Sequence, residues 1–244
     1  MTSLEAPFDV LDWDSDLFGF AVARLRSDML IPKTYGNALK ALKEAGIRLA
    51  YAVTPWDDRE TRAVIEQAGG LMVDRRVRYR KEVSGTGAFP SLVEVWHGPN
   101  CTPELEALAL ESGHQSRFRI DPKIPSGVFP RLYLTWIRRS VLGEVADAVL
   151  VSMRAGRVIG MVSLSANDTR AAVGLMAVDQ AHRRAAIGLR LMEAAEAWAH
   201  ARGAETLDVV TQGANTAACT LYKASGCVVA EEQAVYHVWL EPVR

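Results

Sequence analysis

The sequence predicts an α/β protein with a mixed, mostly antiparallel sheet, preceded by a small N-terminal α/β domain. Three observations favour this class: short runs of alternating apolar and polar residues, helical spacing between those runs, and three strand-like runs joined by short turns in the second half. The 244 residues are 49% hydrophobic and 23% charged, which is typical of a globular protein. This composition excludes a largely disordered chain and provides enough apolar residues for a sizeable core.

The N-terminal part of the chain alternates between predicted strands and predicted helices. Alternation predicts strands over residues 20–25, 48–53 and 71–83, and helical spacing predicts helices over residues 35–44 and 57–68. A cluster of Ser, Gly and Pro at residues 84–90 follows these elements. We therefore expect an N-terminal α/β domain of residues 1–86 and a second domain of residues 91–244.

The second part of the chain is predicted to be a meander followed by alternating helices and strands. The predicted elements are a strand over residues 92–96, helices over 103–112 and 131–141, strands over 148–153, 158–165 and 171–178, a long helix over 187–201, a strand over 206–210, a helix over 214–224, and a final strand pair over 227–230 and 235–240. The turns at residues 155–156 and 167–168 are short, so the three central strands should pair antiparallel.

Charge and cysteine content exclude several classes of protein. The chain carries 28 basic and 29 acidic residues, so a strongly basic nucleic-acid binder is not expected. No uncharged apolar run approaches the roughly 18 residues of a transmembrane helix, and residues 1–14 lack the layout of a signal peptide. Cys101, Cys219 and Cys227 are too few and too scattered for a disulfide framework or a zinc site. We therefore expect a cytoplasmic protein with reduced thiols, no metal and no membrane partner.

The most informative stretch, residues 178–188, joins a predicted strand to the long helix. The first backbone N–H groups of a helix have no partners within the helix, and the helix dipole adds positive potential there, so a pyrophosphate fits this place. Arg183 and Arg184 would reinforce it, while the small residues Ala185, Ala186 and Gly188 would let the backbone approach the anion. A solvated loop is the alternative.

Two segments resemble the GNAT N-acetyltransferase superfamily. Residues 183–188 read Arg-Arg-Ala-Ala-Ile-Gly and resemble its acetyl-CoA-binding motif Gln/Arg-x-x-Gly-x-Gly/Ala, with Ala186 in place of the first glycine. That replacement is expected to be tolerable if residue 186 is already helical. Residues 215–227 are similar to the superfamily's Asn-x-x-Ala-x-x-x-Tyr-x-x-x-Gly-Phe segment, with Cys227 where an aromatic residue is usual. The resemblance covers roughly residues 91–244 and implies the GNAT fold and acetyl-CoA as cosubstrate.

The resemblance also implies a cofactor site. The residues expected there are Met176, Ala177, Val178, Arg183, Arg184, Ala185, Ala186, Ile187, Gly188, Leu189, Asn215 and Ala218. Strand 174–178 would be splayed from its neighbour, leaving the amides of Ala177 and Val178 free to hold the pantetheine and to polarise the thioester carbonyl. An ordinary buried strand, and a plain helix cap at Asn215, are the alternatives.

Tyr222 is the implied catalytic acid. It should lie one helical turn beyond Ala218, on the face towards the cofactor sulfur, where its phenol would protonate the departing CoA thiolate. A packed aromatic residue is the alternative. The sequence names no general base: His114 and Asp121 are candidates, and a chain of water molecules to bulk solvent could serve instead.

A closer resemblance extends over almost the whole chain. Residues 13–19, 115–119, 133–137 and 210–218 resemble superfamily members that acetylate the amine of a dTDP-linked amino-dideoxy sugar in polysaccharide biosynthesis. Arg117, Phe118 and Arg119 would then form a loop that clamps a diphosphate and stacks a thymine. Tyr133 and Trp136 would contact the sugar, although their spacing equally favours the core.

The expected activity is transfer of acetyl from acetyl-CoA to this amine by direct attack in a ternary complex. The alternatives are an acyltransferase for another small amine or a protein amine, and a non-catalytic CoA-binding sensor. An exposed edge in the final strand pair would also allow a homodimer.

Overall fold

The computed structural model describes residues 6–84 and 89–240 and confirms the predicted fold class. The strands are β1 Phe8–Val10, β2 Val22–Leu25, β3 Leu49–Pro55, β4 Leu71–Glu82, β5 Val93–Val95, β6 Ala148–Arg154, β7 Arg157–Asn167, β8 Arg170–Val178, β9 Thr206–Gln212 and β10 Val228–Trp239. The α-helices are α1 Asp12–Phe18, α2 Pro32–Glu44, α3 Arg59–Gln67, α4 Pro103–Ser112, α5 Arg117–Ile120, α6 Val128–Val141, α7 Ile187–Ala201 and α8 Thr216–Ala224. None of the described helices is long and apolar enough to cross a bilayer.

One compact unit comprises the described residues within 1–76, 120–128 and 232–244. Its strands follow the order β1-β2-β3-β10, with β2 and β3 parallel and the other two pairs antiparallel. Helices α2 and α3 are amphipathic and bury Leu42 and Ile65 against the sheet residues Ala50 and Tyr236.

The second unit comprises the described residues within 77–119 and 129–231. Its strands follow the order β4-β9-β8-β7-β6-β5, and the predicted meander is confirmed because β6, β7 and β8 pair antiparallel. One face of α7 is apolar and is buried in the core of this unit; its members are Ile187, Leu191, Ala194, Ala195 and Trp198. Neither unit is continuous along the chain, and the domain boundaries at residues 86 and 91 stay a prediction.

The final strand pair was the clearest error in the predicted elements. Residues 231–234 are mostly polar and favoured a turn, but β10 passes through them without interruption. Glu231 accepts hydrogen bonds from Arg78, and Glu232 accepts them from Arg75 at 2.8 Å, so the polar residues are paired within the sheet. Because residues 233–239 pair with β3, they present no free edge there, and the homodimer stays a prediction without that support.

Candidate active site

Strands β8 and β9 run side by side along only the first half of β8. Their parallel pairing extends from Arg170–Thr206 to Val173–Val209 and stops there, although β8 continues to Val178. The second half of β8 therefore has its ordinary partner β7 on one side and a gap on the other.

A bulge in β8 accompanies this divergence. The β7–β8 register shifts at Ser163, because Gly174 and Leu175 both lie opposite that residue. The amide of Leu175 donates to the Ser163 hydroxyl at 2.8 Å, and a Cβ at Gly174 would lie 2.8 Å from the same oxygen. A side chain at residue 174 would therefore require the Ser163 hydroxyl to move away from this hydrogen bond. Since a bulge bends its strand and increases the local twist, it explains why β8 leaves β9 at this point.

Hydrogen-bond alternation decides which β8 amides face the gap. The Asp179 amide donates to the Ile159 carbonyl of β7 at 2.9 Å, and Ala177 lies opposite Met161. Directly opposed residues alternate between bonded and non-bonded pairs, so the amides of Met176 and Val178 point into the gap and that of Ala177 points to β7. The expectation of a free amide is therefore wrong at Ala177, and Met176 takes its place.

A cavity of about 350 Å³ lies against the end of β8, the start of α8 and the end of α4. It brings together seven of the predicted cofactor and catalytic residues, namely Met176, Ala177, Val178, Arg183, Asn215, Ala218 and Tyr222. Sequence analysis assigned no role to Glu111 and Ser112, which line the cavity together with His114 and Gln115. The only signal available was their position at the end of a helix that leads into the block at residues 115–119.

The loop before α7 is shaped for an anion. Two of its residues are left-handed, Arg184 with φ of 63° and Ala186 with φ of 58°. The first hydrogen bond of α7 runs from the Arg190 amide to the Ala186 carbonyl, and the amides of residues 186–189 have no partner in the described chain. Successive free amides at a helix N-terminus bind phosphate groups. Ala186 is thus not helical, so the condition under which the replacement of glycine was expected to be tolerable is not met; the residue occupies a left-handed conformation that favours glycine.

Replacing Ala186 by glycine should stabilise the protein by about 0.5–1 kcal/mol, because the relief of left-handed strain exceeds the entropic cost of glycine. Ala185 has no positive φ and serves as the matched control. Ala185→Gly should lose about 0.5–1 kcal/mol through that entropic cost alone. Urea unfolding of both variants measures the difference, and equal losses would contradict the strain at residue 186.

The two arginines of the motif differ in their surroundings. The Arg183 guanidinium pairs with Glu111, and its Nε donates to the Val178 carbonyl at 3.3 Å. The other Glu111 oxygen accepts from Gln180 at 3.1 Å. Arg183 therefore links α4 to the end of β8. Arg184 is exposed and makes no ion pair with the described residues, so its charge is available to a phosphate.

Gly188 serves helix packing. A Cβ at this position would lie 3.1 Å from the Leu221 side chain, so the missing side chain lets α7 approach α8. Ile187 is buried in the core, Leu189 is half-buried, and Ala185 is exposed. The phosphate site stays a prediction, in which the contacts of these four residues would come from their backbone.

Helix α8 begins at a side-chain cap. The Asn215 carbonyl oxygen accepts from the Ala218 amide at 3.1 Å, as favoured N-cap residues do. The capping alternative for Asn215 is thus observed, and the same side chain also lines the cavity.

Tyr222 lies one turn beyond Ala218 and is 5% exposed. Its ring centroid is 5.7 Å from that of Tyr79, which fixes the ring, while the described residues give its hydroxyl no hydrogen-bond partner. Burial raises the pKa of Tyr222 well above its ordinary value, with Cys227 and Cys219 adding to the effect. The hydroxyl is therefore protonated and can donate to a ligand in the cavity.

The predicted substrate loop forms the short helix α5. The amide of Phe118 donates to the Ser116 hydroxyl at 3.3 Å, and this cap starts the helical turn that sequence analysis missed. The Arg117 guanidinium lies 4.5 Å from the Phe118 ring centroid, and that of Arg119 lies 5.3 Å from the ring of Phe129. Each arginine thus stacks on an aromatic ring.

The two residues of α6 that were predicted to contact the sugar, Tyr133 and Trp136, lie outside the cavity lining. Tyr133 is buried, packs 5.0 Å from the Phe129 ring, and covers Gly113, where a Cβ would overlap its ring. This favours the core alternative for Tyr133. Trp136 is half-buried with its ring 6.1 Å from Tyr133, and its contact with a sugar stays a prediction.

Within residues 6–84 and 89–240, no group of three or more His, Cys, Asp or Glu side chains is placed to hold a metal ion.

Residues 121–227 match the acetyltransferase (GNAT) family. Over 228 residues, 93% of this chain and 95% of the relative, the chain is 31% identical to the dTDP-fucosamine acetyltransferase of Escherichia coli O6:H1. The chain belongs to the GNAT acetyltransferase family. As a GNAT enzyme it is an acetyl-CoA-dependent N-acetyltransferase.

Solved structures show the same GNAT fold. An N-acetyltransferase from Sphaerobacter thermophilus superimposes with a TM-score of 0.63 at 13% identity, covering 97% of this chain and 77% of that one. A functionally unknown conserved protein from Staphylococcus epidermidis superimposes with a TM-score of 0.66 at 11% identity, covering 98% and 94% of the two chains. At these identities the likeness concerns the fold.

Proposed function

We propose that the chain transfers acetyl from acetyl-CoA to the amino group of a dTDP-linked amino-dideoxy sugar by direct attack in a ternary complex. The observation that carries this proposal is the extent of the 31% identity. It covers 228 residues, whereas the family match covers residues 121–227 alone. A relationship limited to acetyl-CoA binding would not require similarity through the segments outside that match.

In the cofactor half of the site, backbone amides would make most of the contacts with acetyl-CoA. The free amides of residues 186–189, with Arg184 beside them, would hold the pyrophosphate. The amides of Met176 and Val178 face the gap between β8 and β9, where they would hold the pantetheine and polarise the thioester carbonyl. The Tyr222 hydroxyl would then protonate the CoA sulfur.

Direct attack by the amine fits the cavity lining. No cysteine lines the cavity within the described part of the chain, and the Ser112 hydroxyl donates back to the Ala109 carbonyl at 2.7 Å. An acetyl-enzyme intermediate would need an activated nucleophile that faces the thioester. Rate enhancement would come instead from positioning the two substrates and from the oriented amides.

The acceptor half is assigned to the end of α4 and to α5. The cavity wall formed by His114 and Gln115 leads within two residues to Arg117. Guanidinium groups stacked on aromatic rings are held in place while their edges can bind phosphate oxygens. This arrangement suits a nucleoside diphosphate, whose base could stack on the same rings.

The test compares acceptors with and without the nucleotide. CoA release should be measured with a dTDP-linked 4-amino-4,6-dideoxy sugar, the same free sugar, a polyamine and an amino acid. The nucleotide-linked sugar should have the highest kcat/KM. Equal or higher kcat/KM for an acceptor without the nucleotide would contradict the proposed substrate class.

Arg117→Ala should raise the KM for the dTDP-linked sugar about 10–100-fold, which corresponds to the roughly 1.5–3 kcal/mol of a charge-assisted hydrogen bond. Its Kd for acetyl-CoA and its KM for the free sugar should stay unchanged. If Arg117→Ala raised the KM for every acceptor by the same factor, the role of Arg117 would be structural instead.

A further inference from the structure

We propose that His114 accepts the proton that the acceptor amine loses when it attacks the thioester. His114 follows the end of α4, is exposed, and lines the same cavity as Tyr222. Its amide donates to the Glu111 carbonyl at 3.2 Å, which fixes its backbone, while its ring makes no hydrogen bond to the described residues. The proposal rests on acetyl transfer to an amine and not on the identity of the acceptor.

Among the described residues, the other charged or titratable groups that line the cavity are unsuited to accepting this proton. They are Glu111 from α4, Arg183 from the loop before α7, and Tyr222 from α8. Glu111 is engaged by Arg183 and Gln180. Arginine does not release its proton at neutral pH, and burial keeps the Tyr222 hydroxyl protonated. An imidazole is the side chain that ordinarily exchanges a proton near neutrality.

Asp121, the other candidate from the sequence, is already hydrogen-bonded to other buried side chains. Its side chain is fully buried and accepts hydrogen bonds from His237 at 2.6 Å and from Trp239 at 3.0 Å. Because the Asp121 carboxylate is buried and holds both of these hydrogen bonds, an acceptor amine cannot reach it. His114 is therefore the candidate that remains.

The proton balance links His114 to Tyr222. The amine nitrogen bonds to the carbonyl carbon and gives a proton to the His114 ring, while the carbon–sulfur bond breaks and the sulfur takes the Tyr222 proton. The imidazolium then returns its proton through cavity water to the Tyr222 phenolate, so that an amide and a free thiol leave a restored enzyme. A buried phenolate is costly, and a cation formed in the same cavity at the same time lowers that cost.

The first test compares two equivalent substitutions. His114→Gln keeps a hydrogen-bonding side chain that cannot carry the proton, and kcat should fall about 10²–10³-fold while the Kd for acetyl-CoA stays unchanged. His200→Gln, at an exposed position on α7 outside the cavity lining, should retain the wild-type kcat. Wild-type turnover in His114→Gln would overturn the proposal.

The second test separates proton transfer from packing. In His114→Ala, added imidazole should restore part of the lost kcat, and more basic substituted imidazoles should restore more. A packing defect would show no dependence on basicity, so a loss without rescue would overturn the proposal.

Both tests are independent of the proposed acceptor. If the wild-type enzyme turned over no dTDP-linked amino sugar, the proposed function would fail. The same variants would then be compared with whichever amine of the series is acetylated.

Discussion

Replacing Tyr222 by phenylalanine should lower kcat by about 10²–10⁴, the usual contribution of a positioned acid, with no change in the Kd for acetyl-CoA. Phenylalanine retains the ring that packs 5.7 Å from Tyr79 and removes only the hydroxyl. That hydroxyl acts on the sulfur as the carbon–sulfur bond breaks, so its loss affects the transition state more than the bound substrates. Stopped-flow measurement of CoA release and calorimetry of acetyl-CoA binding would separate the two quantities.

Two controls strengthen this test. Tyr79→Phe makes the same chemical change in the adjacent buried ring and should retain the wild-type kcat. An acetyl thioester with a more acidic thiol needs less help from an acid, so Tyr222→Phe should lose less rate with it. Wild-type turnover in Tyr222→Phe, with chemistry shown to be rate-limiting, would remove Tyr222 from the mechanism.

The burial of Tyr222 also determines how kcat should depend on pH. Because the pKa of Tyr222 is raised, the acidic form persists to higher pH than in a free tyrosine, whose pKa is about 10. Activity should therefore show no loss attributable to Tyr222 deprotonation as the pH rises to about 10. A fall in kcat below that pH that disappears in Tyr222→Phe would contradict the raised pKa.

The elements that the sequence predicts well are those with strong local patterns. The bounds of α7 agree with the prediction of a helix over residues 187–201, because its apolar positions recur at helical spacing and Gly203 follows it. The break predicted within β10 was wrong because Glu231 and Glu232 find arginine partners on a strand about 150 residues earlier in the sequence. Local polarity alone cannot reveal such a partner.

The site was predictable in its composition and less so in its geometry. The motifs at residues 183–188 and 215–227 contain about half of the residues that line the cavity. The direction of the β8 amides depends on a one-residue bulge at Gly174, and an isolated glycine in a strand is the only sequence signal for it. The left-handed conformation of Ala186 was hidden because alanine replaces the glycine that would have indicated it.

Asp121 anchors the segment that follows α5. Its carboxylate is fully buried and accepts hydrogen bonds from His237, Trp239 and the Lys123 amide, the last at 2.9 Å. Burial alone would raise the pKa of Asp121, but these hydrogen bonds and the attraction to the His237 ring outweigh it and hold the pKa below its ordinary value. The group is therefore charged at neutral pH and stabilises the folded state.

Asp121→Ala should lower the free energy of unfolding by about 3–5 kcal/mol, because it leaves the buried partners of a removed charge without an acceptor. Asp9, exposed on β1, provides the matched control, and Asp9→Ala should change stability by less than about 0.5 kcal/mol. Since the folded-state pKa of Asp121 is lowered, its contribution is complete above the unfolded-state pKa of about 4 and is lost as the pH falls through the folded-state value. The difference between wild type and Asp121→Ala in urea unfolding should therefore shrink as the pH falls below about 4. A difference that stays constant down to acid-induced unfolding would show that the loss comes from packing and not from the buried charge.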